Sequence, residues 1–261
     1  MVQGIERLGV VQNMGPEGTI GKLEIYAKVK ILKGENFVTI EETKALSAEE
    51  MIAFITNFID DLELGEIPNV NIMVNSKFTE EIYELLQDNN FQFHDEMVTV
   101  YKELNEVVEL ESNFTFKSLH SISQHEFKEI WAESMTDSLN APSSLTLDEQ
   151  MKSLEIELGP DYKDSCLVAY EEERPVGVAI PHIEPGTLDE GRLFYFGLIP
   201  SERGKGKSMP LHKLALQLLK DEFNATCYIG GTSESNQPML KTFMANGCHV
   251  IERNKVYKMI S

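Results

Sequence analysis

One stretch constrains this chain more than any other: RLFYFGLIPSERGKGKSMPLHKLALQLLK, which begins at Arg192. RLFYFGLI is nearly continuous in apolar residues, as a strand buried on both faces should be. Pro200 ends it, and Arg203-Gly204-Lys205-Gly206-Lys207-Ser208 makes a glycine-rich turn. Leu211, Leu214, Ala215, Leu218 and Leu219 then recur at helical spacing. A buried strand leading through such a turn into an amphipathic helix belongs to an α/β sheet with a crossover. It is also an anion site. Glycines let backbone N–H groups converge, the first N–H groups of a helix lack internal partners, and the helix dipole favours negative charge. Arg203, Lys205 and Lys207 add to that field and suit a polyanion such as a pyrophosphate.

The basic turn stands out because the chain is acidic. Its 261 residues carry 23 Lys and Arg against 43 Asp and Glu, a net charge of −20. Residues 1–110 hold 8 basic and 21 acidic residues; residues 111–261 hold 15 and 22. Between positions 201 and 213, four basic residues face Glu202 alone. Such acidity disfavours sequence-independent nucleic-acid binding, which needs Lys and Arg to displace counterions, and it disfavours anionic membranes. No stretch approaches the ~20 apolar residues of a membrane span, and the N-terminus lacks the pattern of a secretory signal. Cys166, Cys227 and Cys248 are an odd set without CxxC spacing, which argues against a disulfide framework or zinc cage. The expectation is a reduced, cytoplasmic protein; a homo-oligomer is compatible with it.

Residues 21–43 alternate as strands around a turn at Gly34-Glu35-Asn36. Ser47 and Glu50 have capping-box spacing and open a helix to about Leu62, closed by Gly65 and Pro68. A strand at 69–75, a helix at 79–89 and a strand at 91–102 follow. The polar run 104–113 marks a domain boundary. The second half restarts with a strand at 114–119. Ser123 and Thr146 each cap a helix, and three strands (166–171, 175–182 and 192–199) precede the basic turn. Beyond it lie a helix at 207–222, a strand at 225–230, a helix at 236–246 and a last strand at 248–259. Residues 70–102 lie over 227–258 at an offset of 157, dropping to 156 after one gap, and both segments end in Val-Tyr-Lys. The expected architecture is a mixed central sheet flanked by helices, in two related domains, 1–104 and 105–261.

The turn fits neither common nucleotide motif. A P-loop needs glycine where Ser201 stands, and a dinucleotide fingerprint needs glycine where Met209 stands. No Gly-x-Ser-x-Gly occurs, so no hydrolase elbow is expected. Arg203-x-x-Gly206-x-Ser208 resembles instead the acetyl-CoA signature of the GNAT superfamily of N-acetyltransferases, Arg/Gln-x-x-Gly-x-Gly/Ala, with Ser208 a departure at its last position. The resemblance spans about 114–260, through the element order and through Asn236, followed eleven residues later by Gly247-Cys248. In that downstream segment Met239 replaces the family's Ala, Phe243 its Tyr and Cys248 its Phe. Residues 1–104 resemble only the back half of the fold, with Asn75-Ser76 at family binding positions and no glycine loop, and read as a degenerate domain that binds no cofactor.

The resemblance implies a V-shaped cleft between the signature strand and the next. The pantetheine arm of acetyl-CoA would bond to the backbone at Phe196 and Leu198, and the pyrophosphate to N–H groups of Gly204, Lys205, Gly206, Lys207 and Ser208. Arg203 and Asn236 belong to the same implied binding set. The implied reaction is direct attack of a neutral amine on the thioester, helped by proximity and a backbone oxyanion donor. Its products are CoA and an acetylated small molecule, peptide or protein amine. Glu190 and His182 are the candidate bases. Either Phe194 or Tyr195 is expected to face the cleft and the other the core, and Trp131 is a core residue or an acceptor-site residue. No histidine shows metal-ligand spacing, so no metal site is expected. The alternative function is a non-catalytic acyl-CoA-binding or regulatory protein whose acidic N-terminal domain docks a partner. Net acidity favours a cationic acceptor through steering.

Overall fold

A computed structural model describes residues 6–7, 19–33, 37–61, 69–105, 113–140 and 145–260. The expected turn at Gly34-Glu35-Asn36, the closing Gly65 and Pro68, and most of the 104–113 run lie outside these. The chain divides into two compact units, one of Met1–Met97 with Glu252–Ser261 and the other of Val98–Ile251. The expected division after residue 104 is contiguous in sequence. The units instead exchange chain, the end of the first half joining the second unit and the C-terminal segment joining the first.

The first unit contains β1 (Glu6–Arg7), α1 (Thr19–Tyr26), β2 (Lys30–Lys33), β3 (Phe37–Glu41), α2 (Ala48–Asp61), β4 (Asn69–Asn75) and α3 (Glu80–Asp88). It also holds the start of β5 (Phe91–Glu103) and the end of β11 (His249–Met259). The capping box forms as expected: Ser47 N donates to Glu50 Oε2 at 2.9 Å, and Glu50 N to Ser47 Oγ at 3.1 Å. From there α2 buries Met51, Phe54, Ile55 and Phe58, one helical stripe, against Ile40, Ile72 and Val74. It crosses between β3 and β4, which are parallel. β11 then pairs antiparallel with β4, Asn254 opposite Asn75 and Tyr257 opposite Ile72. The strand expected from residue 21 is a correction, because residues 19–26 are helical. Their alternation is outweighed by packing, since Ile25, Tyr26 and Val29 lie on the core and the Tyr26 ring is 5.1 Å from Phe54.

The second unit continues β5 and adds β6 (Phe114–Ser118), α4 (Gln124–Met135), α5 (Leu147–Leu158), α6 (Tyr162–Ser165), β7 (Leu167–Glu171), β8 (Arg174–Ile183), β9 (Glu190–Leu198), α7 (Ser208–Asp221), β10 (Cys227–Ser233) and α8 (Gln237–Ala245). Its strand order is β5-β10-β9-β8-β7-β6. Ser123 Oγ accepts from Glu126 N, and Thr146 forms a full capping box with Glu149, so both helices start where expected. α4 and α5 cover one face, Phe127, Trp131 and Leu154 packing with Val178 and Ile180 of β8. α7 covers the other through Leu211, with Ala169 and Leu198.

The sequence repeat is a structural repeat. β4-α3-β5 and β10-α8-β11 are matching strand–helix–strand segments, and at the offset of 157 the helix N-caps Thr79 and Asn236 coincide. So do Asn90 and Gly247, each with positive φ (64° and 78°) just past its helix, where the chain reverses. Only Asn236 caps through its side chain.

Candidate active site

β9 and β10 run parallel and pair at Cys227–Glu190 and Tyr228–Gly191. Beyond those pairs the ladder between them stops, although β9 continues to Leu198 and β10 to Ser233. The inner edge of β9, including Phe196 and Leu198, is therefore released from β10 as it approaches the basic turn. On its other side β9 pairs antiparallel with β8, with a register shift: Ala179 faces Phe196, but Pro181 faces Leu193. Two residues of β8 thus span three of β9, which puts a bulge at Phe194 and Tyr195. The bulge overturns simple alternation. Phe194 and Tyr195 both pack on the core beneath α4, rather than one facing the cleft. Trp131 is fully buried in that core, which resolves its two readings in favour of packing.

The turn after β9 has the expected geometry. Gly204 and Gly206 lie at φ 72° and 75°, the left-handed region glycine enters without strain. A Cβ at either would meet nothing within 4 Å, so the turn faces open space. Its last residue, Lys207, leads into α7, whose first N–H groups point back at the turn.

The basic side chains are more engaged than the sequence suggests. Arg203 does not extend over the turn. Its Nε donates to Leu198 O (3.1 Å), Nη1 to Asp137 O (3.2 Å) and Nη2 to Ser134 O (2.9 Å), tying the turn to the end of α4. Asp137 takes φ 53°, a left-handed conformation in the segment that presents its carbonyl to Arg203. Lys207 Nζ lies 2.6 Å from Glu171 and 2.5 Å from Glu202, and Lys205 Nζ lies 3.2 Å from Glu202. Bonds from Lys207 and then Lys205 hold the Glu202 carboxyl below its usual range; Glu171 and then Glu202 raise the Lys207 ammonium. The field at the turn is therefore tuned by acids, with the backbone left as its open donor surface. Ser208 Oγ accepts from Thr242 Oγ1 (3.1 Å). Asn236 is committed to capping, its side chain accepting from Met239 N and donating to Thr232 Oγ1 and Asn140 Oδ1. Asn140 Oδ1 also accepts from Thr232 Oγ1 and Ser233 N, a cluster at the end of β10 that sequence reasoning missed.

The two candidate bases lie in one network. His182 faces Arg192 across β8 and β9. Arg192 holds Glu190 at 2.6 Å and approaches Glu184 at 3.3 Å, while His182 Nε2 is 3.8 Å from Glu184. Ligand atoms of Glu157, His182 and Glu184 all lie within 4.8 Å of one another. Glu190 is therefore engaged by a guanidinium, whereas among the described residues His182 Nδ1 has no hydrogen-bond partner. Glu157, Glu184 and Arg192 were not singled out in the sequence. The spacing His182-x-Glu184 at the end of β8 was the available signal.

Under the other face, His212 is fully buried among Phe196, Tyr228 and Phe243. Phe243, where the family segment has tyrosine, is 1% exposed.

By sequence, no family model matches the chain and no curated protein matches it. By structure it is similar to a GCN5-related N-acetyltransferase from Sphaerobacter thermophilus, with TM-score 0.61 and 12% identity over 88% of this chain and 75% of that one. A GCN5-related N-acetyltransferase from Kribbella flavida is similar at TM-score 0.59 and 11% identity, over 90% and 87% of the two chains. A tandem GNAT protein from the clavulanic acid biosynthesis pathway follows at TM-score 0.56 and 8% identity, over 88% and 77%. The chain has the GNAT fold. β9 and β10 part ahead of the 203–208 turn, which leads into the crossover helix α7. Among the described residues no helix is long and apolar enough to cross a membrane.

Proposed function

We propose that this chain is an N-acetyltransferase that moves an acetyl group from acetyl-CoA to a primary amine. The observation that carries the proposal is the free inner edge of β9 leading into a left-handed glycine turn at the start of α7. An extended amide chain can bond that edge as an added strand at Phe196 and Leu198, and a pyrophosphate can accept from the N–H groups of residues 204–208. The open space around Gly204 and Gly206 fits such an anion. In the reaction the amine nitrogen bonds to the acetyl carbon, the carbon–sulfur bond breaks, CoA leaves as thiolate, and the amine proton passes to a base. His182 suits that last role better than Glu190, whose carboxylate is held by Arg192. Arg203 contributes by fixing the turn to α4 rather than by touching phosphate. Asn236 contributes by capping α8 beside the cleft.

The first unit is proposed to bind no cofactor, because the sequence of residues 1–104 carries no glycine-rich basic turn. A reduced cytoplasmic setting suits the free thiols of Cys166, Cys227 and Cys248. A second reading, a CoA-binding protein without turnover, draws on Phe243, which offers no hydroxyl to protonate a departing thiolate. Taking a thiol pKa of about 8.5, leaving as thiolate near pH 7 costs only about 2 kcal/mol, so that absence is tolerable. The deciding experiment is calorimetric titration with acetyl-CoA followed by thiol release with a panel of amines. Saturable binding with amine-dependent release supports the transferase; binding without release selects the second reading; no binding overturns both.

A further inference from the structure

The segment that follows α4 bridges the ends of the two strands that part. On one side Arg203 Nη2 and the Tyr195 hydroxyl donate to Ser134 O at 2.9 and 2.7 Å, and Arg203 Nη1 donates to Asp137 O at 3.2 Å. These bonds tie the segment to β9 and its turn. On the other side Ser235 Oγ donates to Leu139 O at 2.9 Å. Asn140 Oδ1 accepts from Thr232 Oγ1, Ser233 N and Asn236 Nδ2 at 2.8, 3.1 and 3.1 Å. These bonds tie it to the end of β10 and the start of α8. Asp137, within this bridge, has φ 53°, a conformation that non-glycine residues seldom take. Carried forward at the register of the Tyr228–Gly191 pair, Ser233 comes level with Phe196. The attachment to β10 therefore lies where the ladder between the strands is already lost.

We infer that residues 134–140 are a strap that fixes the separation of β9 and β10 where they do not pair, and that Asn140 is its clasp on β10. The inference rests on the acetyl-CoA reading of the cleft and adds a positioning residue to it. Parallel neighbours with unbonded edges lower their free energy by bonding to each other, because backbone N–H and C=O groups need partners. A cleft of constant width between them therefore needs a restraint outside the ladder. The strap supplies one, anchored on β9 and its turn through Tyr195 and Arg203 and on β10 through Thr232 and Ser233. An extended arm laid along Phe196 must fit between that edge and β10, so its affinity depends on the width. A pyrophosphate on the 204–208 turn does not share that dependence. Asn140 acts on the arm through Thr232 and Ser233, both buried. All the bonds to its side chain use the oxygen, so a carboxylate in its place keeps the clasp and a methyl group does not.

The test uses the full chain and measures calorimetric affinity for CoA and for adenosine 3′-phosphate 5′-diphosphate, which is CoA without its pantetheine arm. Asn140→Ala should weaken CoA binding about tenfold, the scale of the hydrogen bonds lost. Its affinity for the shorter ligand should stay within about twofold of the parent's, which also shows that the variant is folded. Asn140→Asp should bring CoA binding back to within about twofold of the parent. Ser235→Ala removes the bond to Leu139 O with Asn140 in place, and should repeat the selective loss at about two- to threefold. Unchanged CoA affinity in Asn140→Ala, equal weakening of both ligands, or no rescue by Asn140→Asp overturns the strap and leaves the transferase reading standing. If Asn140→Ala does not fold, Ser235→Ala decides, and CoA affinity equal to the parent's overturns the strap. The selective loss and rescue, in a protein that transfers acetyl to no amine, supports the strap and overturns the transferase. A parent that binds CoA but not the shorter ligand overturns the division between arm and turn, and the strap with it. A parent that binds neither overturns both readings.

Discussion

The phenolic oxygen of Tyr195 lies over Gly197, so close that a Cβ on that glycine would stand 2.5 Å away. The hydroxyl reaches past the glycine to donate to Ser134 O at 2.7 Å, which joins β9 to the end of α4. β10 repeats the arrangement on the opposite face, where a Cβ on Gly230 would stand 2.3 Å from the Tyr228 oxygen. Both strands of the cleft therefore carry Tyr-x-Gly, and in each the missing side chain lets a ring lie along its own strand.

Gly197→Ala should push the Tyr195 ring off β9 and break its bond to Ser134. Overpacking of this kind costs about 1–3 kcal/mol. The same substitution made in a Tyr195→Ala background meets no ring and should cost clearly less. Urea unfolding of the two single variants and the double variant measures the coupling; simple additivity would show that the ring moves aside freely.

Gly206→Asp should weaken CoA binding at least tenfold. The substitution places a carboxylate in the open space where the phosphates would sit, and forces a side chain into the left-handed region at φ 75°. Charge-assisted bonds to such an anion are worth roughly 1.5–3 kcal/mol, enough for that loss. Calorimetry checks it, and unchanged affinity in a folded variant removes the phosphate from this turn.

Glu202→Gln should have the opposite effect. Glu202 holds Lys205 and Lys207, and neutralising it frees positive charge at the turn while Lys207 keeps Glu171. CoA should bind roughly two- to fivefold more tightly, the scale of a partly exposed ion pair. The gain should shrink as salt is added. Titrations at low and high ionic strength read both effects. Weaker binding would mean that the acid positions the lysines rather than masking them.

Much of the fold was legible because its determinants are local. Ser47, Ser123 and Thr146 announced three helix starts, and the glycine turn announced the crossover into α7. The offset of 157 exposed the repeat because Asn90 and Gly247 both answer one backbone requirement, a positive φ after a helix. What failed to show was non-local. The chain exchange between units depends on strand pairing far apart in sequence, and the helix at 19–26 depends on packing against Phe54. At the site, the backbone donors were readable from glycine placement. The engagement of Arg203 by carbonyls of residues 134, 137 and 198, and of Glu190 by Arg192, was not, because side-chain partners follow from tertiary proximity. The bulge at Phe194 and Tyr195 likewise defeats an alternation argument, since one extra residue returns both rings to the same core.

The final prediction concerns His212, whose burial lowers its pKa from 6.5 to about 3. Asn246 Nδ2 donates to its Nδ1 at 3.0 Å, which leaves Nε2 carrying the proton, 3.4 Å from the Tyr228 oxygen. The folded protein therefore keeps this ring neutral throughout the mildly acidic range. The unfolded chain binds a proton there below about pH 6.5, so stability should fall as pH drops through that value and go on falling toward pH 3. From pH 7 to pH 5 the contribution is about 2 kcal/mol, because each pH unit in the window is worth about 1.36 kcal/mol. His212→Gln retains an acceptor for Asn246 and a donor for Tyr228 but cannot titrate. It should lower stability at pH 7 through poorer packing and yet lose less on going to pH 5 than the parent does. Urea midpoints of both proteins at the two pH values decide it. Equal losses would mean that His212 is protonated in the folded state too, and that the ring cluster of Phe196, Tyr228 and Phe243 admits charge.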